Sequence, residues 1–446
     1  MKIKTTTADY SNVLAMPEEI RQKPKKPSLL LNSVIRLASI PDLVATKFRY
    51  KETGMDKLGK DEPCLILMNH SSFIDLKIAS KILYPRRYNI ISTSDGFVGK
   101  NWLMRSIGCI PTAKFVTDIG LVRDMIYCVK KLKCSILMYP EASYSFDGTA
   151  TTLPDSLGEC VKSLKIPLVI IRTYGAFARD PLYNNLQLRK VKVSAEVEYV
   201  LSPEEIKGMS SDEISSIIKE KFTFDNFRWQ QENKVKITES FRADHLNRVL
   251  YKCPNCNQEG KTEGKGIHLT CHACGKKWEL TEHGYMKALS GKTEFDHIPD
   301  WYKWERECVR NEILSGEYKL DIPVEIRMLV NSKKIYHVGD GRLVHTNEGF
   351  HLTGCDGKLD YKQKPLASYS LYSDYYWYEL GDMICIGNTS ALYYCFPKAE
   401  GDFVAKTRLA AEELYKIKKS QQKLFYIDKT AFNVVSFYYF NKNKGA

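Results

Sequence analysis

The chain has 446 residues, a formal net charge of +13, and 43% hydrophobic and 27% charged residues. This length allows two to four domains, and the composition is that of an ordinary soluble globular protein. The positive balance attracts polyanions, nucleic acid or anionic lipid, and does not choose between them. No run reaches the ~20 apolar residues that span a bilayer. The opening residues, MKIKTTTADYSN, lack the apolar core of a signal peptide. The expectation is a cytoplasmic chain, peripheral on the inner face of the cell membrane.

Residues 1–50 form the first unit, and their apolar part is SLLLNSVIRLASIPDLVATKF at 28–48. Leu30, Leu31, Val34, Ile35 and Leu37 cluster on one side of a predicted helix that Pro41 breaks or restarts. It could lie on an anionic membrane surface or pack on the next domain. Residues 51–245 form the next unit: from 62 to about 200 short apolar runs (CLILMN, YNIIST, CIPTA, CSILMYP, IPLVIIRTYG, VKVSAEVEYV) alternate with helical segments such as DIGLVRDMIYCVKKLK, and 203–245 reads as helical and polar. Alternation of this kind predicts an α/β fold, a mainly parallel sheet flanked by helices. Sites in such sheets form beyond the carboxyl ends of strands.

Residues 246–285 hold four grouped cysteines. Residues 286–320 read as a helical linker with an aromatic-studded helix at 298–316. From 321 to 420 strands dominate, with turns at GDG, NEG and CDG, and a helix at 402–419 comes after them. This order predicts a small, mainly-β domain, a barrel of the pleckstrin-homology type. The tail, 421–446, contains LFYIDKTAFNVVSFYYF, expected to dock on that barrel.

Two motifs stand just past strand ends. NHSSFID places His70 after CLILMN, with Asp75 five residues on; MYPEASYSFDG places Glu141 after CSILMYP. A plain reading makes Ser71 and Ser72 helix caps and Asp75 a partner of the helix dipole. The same spacing recurs at His351 and Asp356 in HLTGCD, within a glycine-containing turn, and is taken there as accidental.

In chain order NHSSFID, GCIPTAK, YPEAS and IPLVII resemble the motifs of the glycerophospholipid acyltransferases, the family of the bacterial lysophosphatidic acid acyltransferases (PlsC-type). That family carries Asn-His-x4-Asp, then Gly-x-Ile-x3-Arg, then Pro-Glu-Gly-Thr-Arg, then an apolar strand beginning at Pro. The resemblance covers residues 30–200. It implies acyl transfer from acyl-CoA or acyl-ACP directly to the hydroxyl of a lysolipid such as 1-acyl-glycerol-3-phosphate, in phospholipid biosynthesis. His70 is then the general base, suited by a reference pKa near working pH. Asp75 orients it, as in a Ser-His-Asp relay without the serine. Glu141 helps position the acceptor, and Lys114 stands where the family has a phosphate-binding arginine.

Ala142-Ser143-Tyr144 replaces Gly-Thr-Arg: Ser143 keeps a hydroxyl and Tyr144 removes a guanidinium. Both expected arginines are therefore replaced. Arg105, Arg172 and Arg179 are the candidates to compensate, and the acceptor could carry another head group or no phosphate.

Cys253-x2-Cys256 and Cys271-x2-Cys274 have the spacing of a zinc ribbon. Four thiolates complete a tetrahedral site with no open position, so the Zn2+ expected here is structural. His268 and His272 are surplus. Other cysteines, such as Cys64, Cys109 and Cys128, stand alone on apolar segments, as free thiols in a reducing compartment do. Zinc ribbons and basic charge raise an alternative, a catalytically degenerate lipid- or nucleic-acid-binding scaffold. The mixed charge of NQEGKTEGKG argues against nucleic acid.

Overall fold

The computed structural model describes residues 3–442 other than 18 and 117, with side chains described as far as 422. The aromatic side chains expected to dock from 424–440 lie outside the described residues. Two large sheets and one small one organise the chain. The first has seven strands, in spatial order Arg49–Thr53, Ser194–Leu201, Leu168–Tyr174, Leu65–Met68, Ser135–Met138, Tyr88–Thr93 and Cys109–Thr112. Five of these run parallel. Ser194–Leu201 returns antiparallel to Leu168–Tyr174 and carries Arg49–Thr53 at its outer edge. The sheet is therefore mixed: mainly parallel, with one antiparallel pairing between Leu168–Tyr174 and Ser194–Leu201. VKVSAEVEYV reads like the parallel strands because strand direction leaves no mark on the composition of so short a run.

Leu65, Ile66, Leu67 and Met68 are all fully buried at the centre of this sheet. A strand covered on both faces reads as a continuous apolar run, not an alternation. The helix Leu29–Ala45 packs on the helix Asp75–Leu83, with Ser39 and Ser80 hydroxyls 3.3 Å apart between them. Pro41 lies inside Leu29–Ala45, which continues past it rather than breaking.

The second sheet runs Leu359–Gln363, Gly349–Gly354, Ile335–Thr346, Leu320–Leu329, Leu392–Pro397, Gly381–Gly387, Tyr372–Trp377, all antiparallel. The long helix Phe403–Lys442 comes next and packs against the sheet's last strands. Thr5–Thr7 pairs in parallel with Ile335–His337, so residues 1–50 are not one unit. Their start belongs to the C-terminal sheet.

The small sheet, four antiparallel strands between Thr262 and Ala288, holds Cys271 at a strand end and Cys274 in the turn after it, while Cys253 and Cys256 precede it. It has no core of its own. Cys253, Leu269, Cys271 and Trp278 share one apolar cluster with Trp301 and Val309 of the helix Ile298–Ser315, with Ile326 and Leu343 of the second sheet, and with Leu409. Trp278 and Trp301 meet edge to face at 5.1 Å. The boundaries at 285 and 320 thus divide the sequence but not the core.

Candidate active site

The apolar run ends at Met68, and Asn69 fixes the turn after it. The Asn69 side-chain oxygen accepts from the Thr173 N–H at 2.7 Å, tying this turn to the neighbouring strand. His70 is thereby delivered at the carboxyl end of the central strand. Asp75, fully buried at the first turn of the next helix, gathers three donors on one oxygen: Ser71 N–H at 2.8 Å, Ser72 N–H at 3.0 Å and His70 Nδ1 at 3.1 Å. Its acceptance from Nδ1 fixes the imidazole tautomer, leaving Nε2 to take a proton. The serines do not cap the helix as expected. Among the described residues no side chain caps its N-terminus. Ser72 Oγ accepts from Ile74 N–H and donates to Asp180.

Glu141 closes the turn from the other side. One of its oxygens accepts the His70 backbone N–H and the other accepts Thr151 N–H, both at 2.8 Å. Burial pushes its carboxyl up to about 7. The glutamate is a clasp between two loops, and its link to Thr151, ten residues on, has no signal in the sequence. Ala142 just after it adopts φ +55°, a left-handed conformation that favours glycine.

Two tyrosines that sequence motifs do not assign to the site enclose the imidazole. The Tyr139 ring stacks on His70 with centroids 4.3 Å apart, and Tyr144 lies at 4.2 Å. His70 keeps 21% of its side chain exposed between them.

Residues 49–172 match the family model for acyltransferases. This stretch is a domain of that family. All four motifs of the resemblance lie within it. Among solved structures, the 1-acyl-sn-glycerophosphate (LPA) acyltransferase PlsC of Thermotoga maritima is similar over 43% of this chain and 78% of its own, at 16% identity and a TM-score of 0.33. No curated protein matches.

The acyltransferase domain does not meet the C-terminal sheet at a distance from His70; the two join beside it. Lys114 Nζ lies 4.1 Å from the centroid of the Tyr372 ring. Burial lowers its pKa, while the carboxylates of Asp95 and Asp374 oppose that change. Asp95, buried, accepts from Tyr372 Oη at 2.6 Å and from Trp377 Nε1 at 3.2 Å. Burial lowers the pKa of His70 below its ordinary 6.5; Asp75 opposes this, and the charge of Lys114 adds to it.

The other cations considered for a phosphate are committed elsewhere. Arg172 pairs with Glu196 and Glu198, and Arg179 with Asp42 and Asp180. Arg105 is buried on the helix Asn101–Ser106, donating to Asn101 and lying over Phe97, and it contacts none of His70, Asp75 or Glu141. Arg408, from the C-terminal helix, donates to the Tyr144 carbonyl at 3.4 Å and pairs with Glu412. Ser143 is buried, its hydroxyl unpartnered among the described residues. His351 bonds Asp360 on the surface, not Asp356, and stays apart from the site.

The ribbon's Cys253, Cys256, Cys271 and Cys274 Sγ atoms all lie within 4.8 Å of one another. Cys253–Cys274 and Cys256–Cys271 are 3.8 and 3.7 Å apart. Zinc–thiolate bonds of about 2.3 Å in a tetrahedron require sulfur–sulfur edges of about 3.8 Å, so this donor set fits zinc. His272 instead pairs with Glu263 at the surface.

Proposed function

We propose that the chain is a membrane-associated O-acyltransferase that moves a fatty acyl group from the thioester of acyl-CoA or acyl-ACP to a lysolipid hydroxyl. The observation that carries this reading is the imidazole of His70, held through Nδ1 by a buried carboxylate with Nε2 left for a proton. Nε2 removes the acceptor hydroxyl's proton as its oxygen attacks the thioester carbonyl. The C–O bond forms, the C–S bond breaks, and the imidazolium returns the proton to the departing thiolate. Asp75 stabilises the imidazolium, and Glu141 keeps the turn in place. The cysteines hold a structural zinc and take no part in the reaction.

The acceptor's head is set by the charges around His70. Asp95 and Asp374 act on Lys114, and Arg172, Arg179 and Arg408 are already paired. A phosphomonoester there would share Lys114 with Asp95 and Asp374, and incomplete pairing of a buried anion is costly. With a labelled acyl thioester, 1-acylglycerol on vesicles is therefore expected to be acylated about tenfold faster than 1-acylglycerol 3-phosphate. Faster acylation of the phosphate would show that Lys114 is free to bind it.

No helix among the described residues is long and apolar enough to cross a membrane. One face of Leu29–Ala45 instead exposes Leu30, Val34, Leu37 and Val44, while Leu31, Ile35 and Leu43 pack inward. Trp102, 71% exposed, sits on a helix joined to the start of this one by the Ser28 N–H to Ser106 carbonyl bond. Apolar side chains at this spacing suit insertion among lipid headgroups. Each contributes ~1.5 kcal/mol or more when buried, so Leu37→Glu with Val44→Glu is expected to weaken vesicle partitioning by about 100-fold. Unchanged sedimentation with anionic vesicles would remove this face from the account.

A further inference from the structure

We propose that the cleft between the acyltransferase domain and the C-terminal helix binds the phosphopantetheine arm of the acyl thioester; this rests on the acyltransferase reading above. The cleft encloses about 470 Å³, within the range of ligand sites. Its wall is apolar and aromatic, with Leu153, Phe222 and Tyr369. Its rim carries Lys219, Lys416 and Lys419 against a single lining carboxylate, Asp155. Asp155 is held by Lys419 and by Tyr415 Oη. Lys416 pairs with Glu413 at 2.6 Å, and Lys219 is exposed.

One contact joins this cleft to the catalytic turn, and a second joins it to the segment of Lys114. Thr151, which lines it, gives its backbone N–H to Glu141, and Glu141 in turn holds the backbone of His70. Tyr369, on the opposite wall, meets the ring of Phe115, the neighbour of Lys114, at 5.3 Å. The cleft is therefore linked to the backbone of His70 through Thr151 and Glu141, and its Tyr369 side adjoins the strand end at 112–115.

A phosphopantetheine thioester matches this shape and charge. Its phosphate is anionic, and the rim's three lysines outnumber the two carboxylates that hold Lys416 and Lys419. Its long amphiphilic arm can run along a partly aromatic wall and present the thioester at the inner end. Coenzyme A and an acyl carrier protein share this arm. Coenzyme A adds further phosphates, and a carrier protein adds an acidic surface; both meet the same lysines.

The test uses the full-length protein and compares Lys219→Glu and Lys416→Glu with wild type. Initial rates are measured with palmitoyl-CoA and with palmitoyl-acyl carrier protein. Each variant is expected to raise the donor KM about tenfold or more, with kcat and the acceptor KM within about twofold. The donor showing the larger rise is the source of the arm. Donor KM values within twofold of wild type for both donors would overturn the proposal and leave the acyltransferase reading standing. Should wild type transfer no acyl group, the acyltransferase reading fails. Calorimetric titration of the His70→Ala protein with palmitoyl-CoA then decides the cleft. Binding weakened tenfold by Lys219→Glu supports it, and equal binding overturns it.

Discussion

Replacing Cys271 by serine is expected to release the ribbon's metal and lower the melting temperature by about 10 °C or more. The four strands between Thr262 and Ala288 are only three or four residues long. A sheet so small does not bury enough surface to fold alone. Metal binding at a structural tetrathiolate site contributes on the order of 10 kcal/mol, and that binding energy is folding energy. Its loss would spread, because Cys253, Cys271 and Trp278 lie in the same core as Trp301 and the C-terminal sheet. Calorimetry and metal content check this together: wild type should hold one zinc per chain, and Cys271→Ser none. A zinc-free wild-type chain that melts at the same temperature would make the four thiols ordinary core residues.

The second large effect falls on catalysis. His70→Ala is expected to reduce acyl transfer about 10²–10⁴-fold, the usual contribution of a positioned general base. Its melting temperature should stay near that of wild type. The side chain is partly exposed, and the structural bond at this residue is its backbone N–H to Glu141, which alanine retains. The pH profile carries a second signature. Burial sets the imidazole below 6.5, with Lys114 adding to the shift against the opposing Asp75. A base must be neutral to act, so His70 remains competent at pH 6.5 and fails only as pH falls through its lowered pKa. Glu141, raised by burial to about 7, takes up a proton earlier and then loses an acceptor for the amides it holds. The acid limb should therefore be steeper than a single protonation gives. In Glu141→Gln, the part of that limb nearest pH 7 should disappear.

The parts of this site that the sequence displays are local. CLILMN ends where a buried central strand ends, and the next six residues contain both the imidazole and the carboxylate that orients it. Glu141 is legible for the same reason, as the residue after a neighbouring strand. The cysteine spacing likewise reports a short-range knuckle. What the sequence hides is tertiary. Tyr372 and Asp374 reach Lys114 from more than 250 residues away, and no periodicity encodes such a meeting. Arg172 and Arg179 look free to bind phosphate in the sequence because their partners, Glu196 and Asp42, lie on other elements. Tyr144 reads as a missing guanidinium but not as a ring over the imidazole. Pro41 misleads because proline removes one donor and one helical bond, and packing of Leu29–Ala45 on the adjacent helix outweighs that local cost. The N-terminal strand is invisible because TTT has β propensity but no apolar alternation.

The most direct test of the account is the rate at which labelled palmitate passes from a thioester donor to vesicle-borne lysolipid, measured side by side for wild type and His70→Ala. The account predicts a diacyl product from wild type and a rate at least about 100-fold lower from the variant. Equal rates from the two proteins, or no product from wild type with any lysolipid or donor, would contradict it.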